Sequence, residues 1–277
     1  VIVMADDGYH GFHDWCLADT SRGNGIPTNE CEGFSTVMPL DLDGYMTTAE
    51  AKQYVAAVII EPDQHPDWLA QIRQWCSAHG AVMIADEVNC WQRYPEWTGC
   101  AHFGVTPDLW CLGKSLGNGM PVSAIVGPAS IMRRFAPGKL PNAFFSSTWA
   151  GHPLSIAAVI ATLDVLEREG GCQKIWDSAC NLNEWLAGEF DWFSFRGDLS
   201  GPPFNRVTNI DRPRVWRKLM IEHGVFIYGA HNLSLAHDMN AIHRLSEAWK
   251  NTVRLLPERL ASAGESDESE TTGVMRR

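Results

Sequence analysis

The chain has 277 residues and a mass of 30.8 kDa, room for one large domain or two modest ones. With 45% hydrophobic and 20% charged residues it is composed as a globular protein with a sizeable core, which excludes a disordered or collagen-like chain. Against 22 bases stand 33 acids, and the formal charge of −11 repels phosphate backbones, so nucleic acid is not an expected partner.

The chain opens on Val1-Ile2-Val3, without an initiator methionine and already patterned like a strand interior, so a piece of a longer protein is expected. Ala56 to Glu61 is a short β-rich run that ends in Glu61-Pro62. Asp67 to His79 carries Trp68, Ile72 and Trp75 at helical spacing, and Gly80 is placed as its C-terminal stop. Ala81 to Asp86 is an almost wholly apolar strand of the kind buried on both faces. Asn89 to Pro107 is rich in turn residues. Leu109 to Leu112 and Ser123 to Gly127 read as two further strands, and His152 to Glu169 as a long aliphatic helix. Strands alternating with helices predict an α/β fold, a mostly parallel sheet with helices on both faces. Ligands of such folds lie at the carboxyl ends of the strands.

The composition shifts after Gly170-Gly171. A helix from Lys174 to Glu189, an irregular stretch at Gly201-Pro202-Pro203 and a smaller α+β unit are expected. The division predicted is a large domain over 1–172, a small one over 173–261, and an acidic tail from Ser262 to Arg277 with the composition of a disordered segment. The eight cysteines include no Cys-x-x-Cys pair, which argues against a zinc ribbon. They read as free thiols of a reducing, cytoplasmic setting. No run of about 18 apolar residues is present, so no membrane-spanning helix is expected, and no signal peptide is evident.

Two positions carry the chemistry. By period-2 alternation Val82, Ile84 and Asp86 share one face of their strand, which puts Asp86 where the apolar run stops. A carboxylate there needs a cation or strong donors, although an ordinary loop-facing aspartate is the plainer reading when it is taken alone. Lys114 follows the Leu109–Leu112 strand and precedes the glycines of Gly117-Asn118-Gly119, which let backbone approach a ligand closely. The spacing is not that of a phosphate-binding P-loop. A lysine in a partly dry pocket is a nucleophile toward aldehydes, and a surface loop lysine is the plainer alternative. Together the two match what pyridoxal phosphate requires, an amine for its aldehyde and a carboxylate for its ring nitrogen.

Several stretches carry a family resemblance: Gly8-Tyr9-His10-Gly11-Phe12-His13-Asp14-Trp15, Ile59-Ile60-Glu61-Pro62, Ile84-Ala85-Asp86-Glu87-Val88, Pro107-Asp108-Leu109 through Gly113-Lys114, Gly117-Asn118-Gly119-Met120-Pro121 and Ser147-Thr148-Trp149-Ala150-Gly151-His152-Pro153. Late in the chain, Gly229 to His237 looks like the small-domain segment. In this order they resemble class III, fold type I pyridoxal-phosphate aminotransferases, in particular enzymes similar to glutamate-1-semialdehyde aminomutase. The resemblance implies pyridoxal 5'-phosphate as cofactor, Lys114 as the Schiff-base lysine and Asp86 as the partner of the ring nitrogen. It also implies Tyr9 stacked on the ring, with His10 and Glu61 lining the same pocket. Thr148 is implied to reach the phosphate of the neighbouring subunit, so a homodimer with shared active sites is expected. The substrates implied are a small amino donor and a carbonyl acceptor.

His10 and His13 could suggest a metal pair, but no third ligand is evident and no metal is expected. Where the family usually has Gly-Phe-Arg, this chain reads Asn89-Cys90-Trp91-Gln92-Arg93, which alters the substrate side. The front segment of the family, with its phosphate-binding loop, has no counterpart in these residues, so this chain alone is expected to bind the cofactor poorly. Amino-group transfer between two molecules is the leading expectation. An intramolecular aminomutase and a non-catalytic fragment of the family are the alternatives.

Overall fold

The computed structural model describes residues 2–5, 8–17, 23–26, 34–37, 44, 47, 55–136, 143–189, 195–196, 204–207, 213–226 and 230–262. The chain divides into two compact units, Val1–Glu169 and Gly170–Arg277.

In the first unit six strands form one sheet: β1 (Ile2–Ala5), β2 (Phe34–Val37), β3 (Ala57–Ile60), β4 (Val82–Asp86), β5 (Leu109–Leu112) and β6 (Ala124–Val126). Their spatial order is β2-β1-β3-β4-β5-β6. Every pairing from β2 through β5 is parallel, with Ile84 opposite Leu109 and Asp86 opposite Cys111. β6 alone runs antiparallel, at the edge. The sheet is thus mostly parallel, as the alternation of elements predicts, and the carboxyl ends of five strands point the same way.

The helices of this unit are α1 (Asp14–Leu17), α2 (Leu69–His79), α3 (Gly99–His102), α4 (Ala129–Met132) and α5 (Pro153–Glu169), with a 3-10 turn at Lys114–Gly117. The helix expected from Asp67 begins as a 3-10 turn at Pro66, whose fixed φ suits a helix start, and becomes α-helical at Leu69. It stops where expected, because Gly80 takes the left-handed conformation (φ 70°) and Ala81 N–H closes back on the Cys76 carbonyl. α2 lays Leu69, Ile72 and Cys76 on Met83 and Ala85 of β4 and on Val58 and Ile60 of β3. Met83 and Ala85 are fully buried, whereas Val82 and Ile84, on the other face, are only half-buried. Asp108 ties this layer together. Its Oδ2 accepts from Met83 N–H (2.7 Å) and from the Arg73 guanidinium (2.8 Å).

The second unit begins with α6 (Gly171–Glu189), three residues before the expected start. Gly170 takes the positive φ of 59° that ends α5, which leaves Gly171 free to open the next helix. α7 (Pro213–Glu222) and the long α8 (Met239–Ser262) pack with α6 around Leu182, Trp216, Leu219, Met220 and Trp249. The rings of Trp216 and Trp249 lie 5.1 Å apart. Three short antiparallel strands, β7 (Phe195–Arg196), β8 (Phe204–Val207) and β9 (Ala230–Asn232), complete it, an α+β unit. The glycine-proline stretch and the tail beyond Ser262 lie outside the described residues.

Candidate active site

Four neighbouring strands deliver the candidate residues. Gly8, Tyr9 and His10 follow β1, and Glu61 follows β3. Asp86 closes β4, and Lys114 lies just past β5. After β1 the chain turns, with Gly8 N–H bonded to the Ala5 carbonyl at 3.0 Å. A side chain at residue 8 would collide with that carbonyl and with His10 Nε2, at 3.0 and 2.9 Å from its Cβ, so glycine is needed for the turn to close.

This turn carries His10 onto Asp86, with Nδ1 2.8 Å from Oδ2 and both side chains nearly buried. The other oxygen, Oδ1, accepts from Val88 N–H at 3.1 Å. The carboxylate that the sequence places at a strand end is therefore held by a ring on one side and by its own loop on the other. His13, the other member of the conceivable metal pair, is exposed and packs on Trp15 instead. Among the described residues no cluster of three or more metal-ligating side chains occurs.

Glu61 Oε2 accepts the backbone N–H of Tyr9 at 3.0 Å, which fastens the end of β3 to the turn after β1. Burial pushes the Glu61 carboxyl above its ordinary value, and the charge of Asp63 adds to this. An acid whose folded pKa is raised favours the fold while protonated. That contribution is complete below the ordinary value of 4.5 and is lost as pH rises through the raised one. Glu61→Gln keeps an acceptor for Tyr9 and removes the titration. Thermal unfolding of the variant should therefore gain on the parent as pH moves from acid to neutral. A constant difference across that range would refute the assignment.

Lys114 is exposed, stands in the left-handed region (φ 46°), and donates from Nζ to Asn89 Oδ1 at 3.1 Å. No hydrogen bond or ion pair joins it to Asp86, although the two follow adjacent strands. Thr148 lies in an exposed turn ahead of α5, and no hydrogen bond among the described residues joins it to the other candidates. α5 itself is anchored to the loop after the lysine, with Ser155 Oγ donating to the Pro121 carbonyl at 3.0 Å.

The loop after Asp86 is more ordered than its turn-rich composition suggests. Glu87 is wholly buried and accepts the N–H groups of Gly99 and Cys100 and the thiol of Cys90, each at 2.9 Å. Burial raises its pKa. Trp91 is buried too, and its indole N–H donates to the Gly113 carbonyl at 2.9 Å. Sequence reasoning noted Glu87 only within its motif and Asn89 to Arg93 only as a departure on the substrate side, and gave none of them a structural role. A run of apolar and aromatic residues inside a turn-rich stretch was the signal present.

A carboxylate with spare acceptor capacity and a primary amine on the next strand end fit one group, a planar cationic ring bearing an aldehyde. Residues 1–189 match the family Aminotransferase class-III. The chain belongs to the class-III aminotransferases. Pyridoxal phosphate and amino-group transfer are the cofactor and chemistry of this family, and the residues present suit both. Two relatives of this class-III chain are glutamate-1-semialdehyde 2,1-aminomutases. That of Syntrophobacter fumaroxidans is 31% identical over 90% of the chain and 66% of the relative, and that of Polynucleobacter necessarius is 29% identical over 92% and 69%. The chain thus spans about two thirds of their length. In structure it resembles the FumI protein of Sphingopyxis sp. MTA144, solved with PLP, with a TM-score of 0.80 at 22% identity over 95% of the chain and 66% of that protein. The fold is the fold type I architecture of class-III enzymes.

Proposed function

We propose that the protein to which this chain belongs transfers an amino group from a small amine or amino acid to a carbonyl acceptor, with Lys114 as the residue that binds pyridoxal phosphate covalently. The observation that carries the reading is that Asp86, held by His10, closes β4, while Lys114 follows the adjacent parallel strand β5. When bound, the cofactor supplies an electron sink for the carbon that bears the amino group. Asp86 would hold the ring nitrogen in its positively charged form, and His10 holds that carboxylate in place. Tyr9 offers a flat face to the ring, and Glu61 lines the pocket through the Tyr9 backbone. With the cofactor and substrate amine in place, the Lys114 amine would take the proton from the substrate carbon as base and give it up as acid to the carbon that had been the cofactor's aldehyde. The first unit is the cofactor-binding domain in this reading, and the second is the small domain of the family.

Borohydride treatment of the protein loaded with pyridoxal phosphate, followed by peptide mapping, tests the assignment. The fixed label belongs on Lys114, and label on a different lysine would refute it. The names of the two relatives favour a second reading, an intramolecular amino shift within one substrate. A single labelled amino-aldehyde that yields an isomer without any second carbonyl would select it.

The partner proposed is a second copy of the chain. Phe144, Phe145, Trp149, Leu154, Ile156 and Ile160 are all exposed, an apolar stretch of the chain that suits an interface. It surrounds Thr148, whose hydroxyl is assigned to the cofactor phosphate of the other subunit. Inactive Lys114→Ala chains mixed with inactive Thr148→Ala chains should then regain activity, because one site of the mixed dimer holds both residues. A mixture that stays inactive, although the dimers have exchanged, would overturn the shared site. A cytoplasmic setting suits the seven described cysteines, all free. No helix among the described residues is long and apolar enough to cross a membrane.

A further inference from the structure

The backbone at Lys114 is unusual. A non-glycine residue at φ 46° pays for the left-handed conformation and persists only where its surroundings impose it. Two contacts from one loop meet there. The Trp91 indole N–H donates to the carbonyl of Gly113, the peptide that leads into Lys114, at 2.9 Å in a buried setting. The Asn89 side chain accepts from the Lys114 amine at 3.1 Å.

The loop is itself rigidly based. Trp91 N–H returns to the Glu87 carbonyl at 2.9 Å, and the buried Glu87 carboxyl gathers Cys90, Gly99 and Cys100. Gly113 is packed on the same loop, where a Cβ would come within 3.3 Å of Val88. The indole therefore meets Gly113 where its backbone already lies close against the same loop.

We infer that Trp91 and Asn89 are positioning residues for Lys114. Trp91 fixes the peptide on which the lysine turns, and Asn89 fixes the end of its side chain. The inference rests on the reading of Lys114 as the aldehyde-capturing lysine. It adds that this chain places the lysine with a tryptophan and an asparagine from the stretch that departs from the usual Gly-Phe-Arg.

The test is the rate at which pyridoxal 5'-phosphate is captured. The amine condenses with the aldehyde, water leaves, and borohydride adds hydride to the carbon of the new carbon–nitrogen double bond while the nitrogen takes a proton. Peptide mapping then gives the rate at Lys114, with the other lysines as internal standards. Trp91→Phe keeps a buried ring and deletes the N–H, and Asn89→Ala deletes the acceptor. Each should slow capture at Lys114 by roughly tenfold, the scale of one hydrogen bond, and leave the other lysines unchanged. Asn89→Asp, which retains an acceptor oxygen, should restore the rate, an outcome that general loosening of the loop would not produce. Parent rates in both Trp91→Phe and Asn89→Ala, with the label still on Lys114, would overturn this inference and leave the proposed function standing. Label absent from Lys114 in the parent would overturn both. If circular dichroism shows Trp91→Phe to be misfolded, the Asn89 pair decides, since equal rates in Asn89→Ala and Asn89→Asp would refute the positioning role.

Discussion

Replacing Lys114 with alanine should abolish the borohydride-fixed cofactor and cut turnover by about 10²–10⁴-fold from lost proton transfer alone. The reasoning is local. Lys114 is the primary amine placed just past β5, beside the strand end that holds Asp86. A second lysine cannot substitute without a comparable position. Small amines added to the solution should restore a little turnover to Lys114→Ala, because they supply the missing base without the tether. Peptide maps of the parent and the variant decide the covalent part. A variant that still fixes the cofactor at a single lysine, with turnover intact, would remove Lys114 from the mechanism.

Asp86→Ala should bring the second large loss. Taking one member from a buried charge pair typically costs about 3–5 kcal/mol, which in a rate is on the order of a hundredfold to several thousandfold. His10 would be left facing a void, since its Nδ1 lies 2.8 Å from the lost oxygen. Capture of the aldehyde at Lys114 should survive, because that step needs the amine and not the ring nitrogen. Asp86→Asn keeps the shape and a bond to His10 but not the charge, so it should lose nearly as much turnover as alanine while it keeps more stability. Stopped-flow transamination rates beside thermal melts would separate these effects. Near-parent rates in Asp86→Asn would mean that the charge is not needed.

The positions of Asp86 and Lys114 in the fold were legible because Asp86 closes one short apolar strand and Lys114 follows another, where a charged residue breaks the pattern visibly. The parallel sheet was legible for the same reason: β4 and β5 are brief hydrophobic runs between helical and turn-rich segments. Two features escaped for physical reasons. α6 starts at Gly171 because conformation, not composition, decided which of two adjacent glycines ends a helix. The loop from Asn89 to Thr98 looked like plain turn sequence, but its order comes from one buried carboxyl that collects donors up to 13 residues away. Such a bond leaves no periodic trace. The positive φ values at Gln92 and Trp97 belong to residues that rarely adopt them, so local propensity pointed elsewhere.

The parallel strand ends also determine when the site can come into being. His10 meets Asp86 across 76 positions and Tyr9 meets Glu61 across 52, so neither contact can form within a local segment. Parallel pairing over such spans is among the slowest events in folding, because long loops must close before any contact rewards them. On a ribosome the amine of Lys114 emerges well after Asp86, and α2 can form before either is useful. The joining of these strand ends is thus a late product of the chain's assembly.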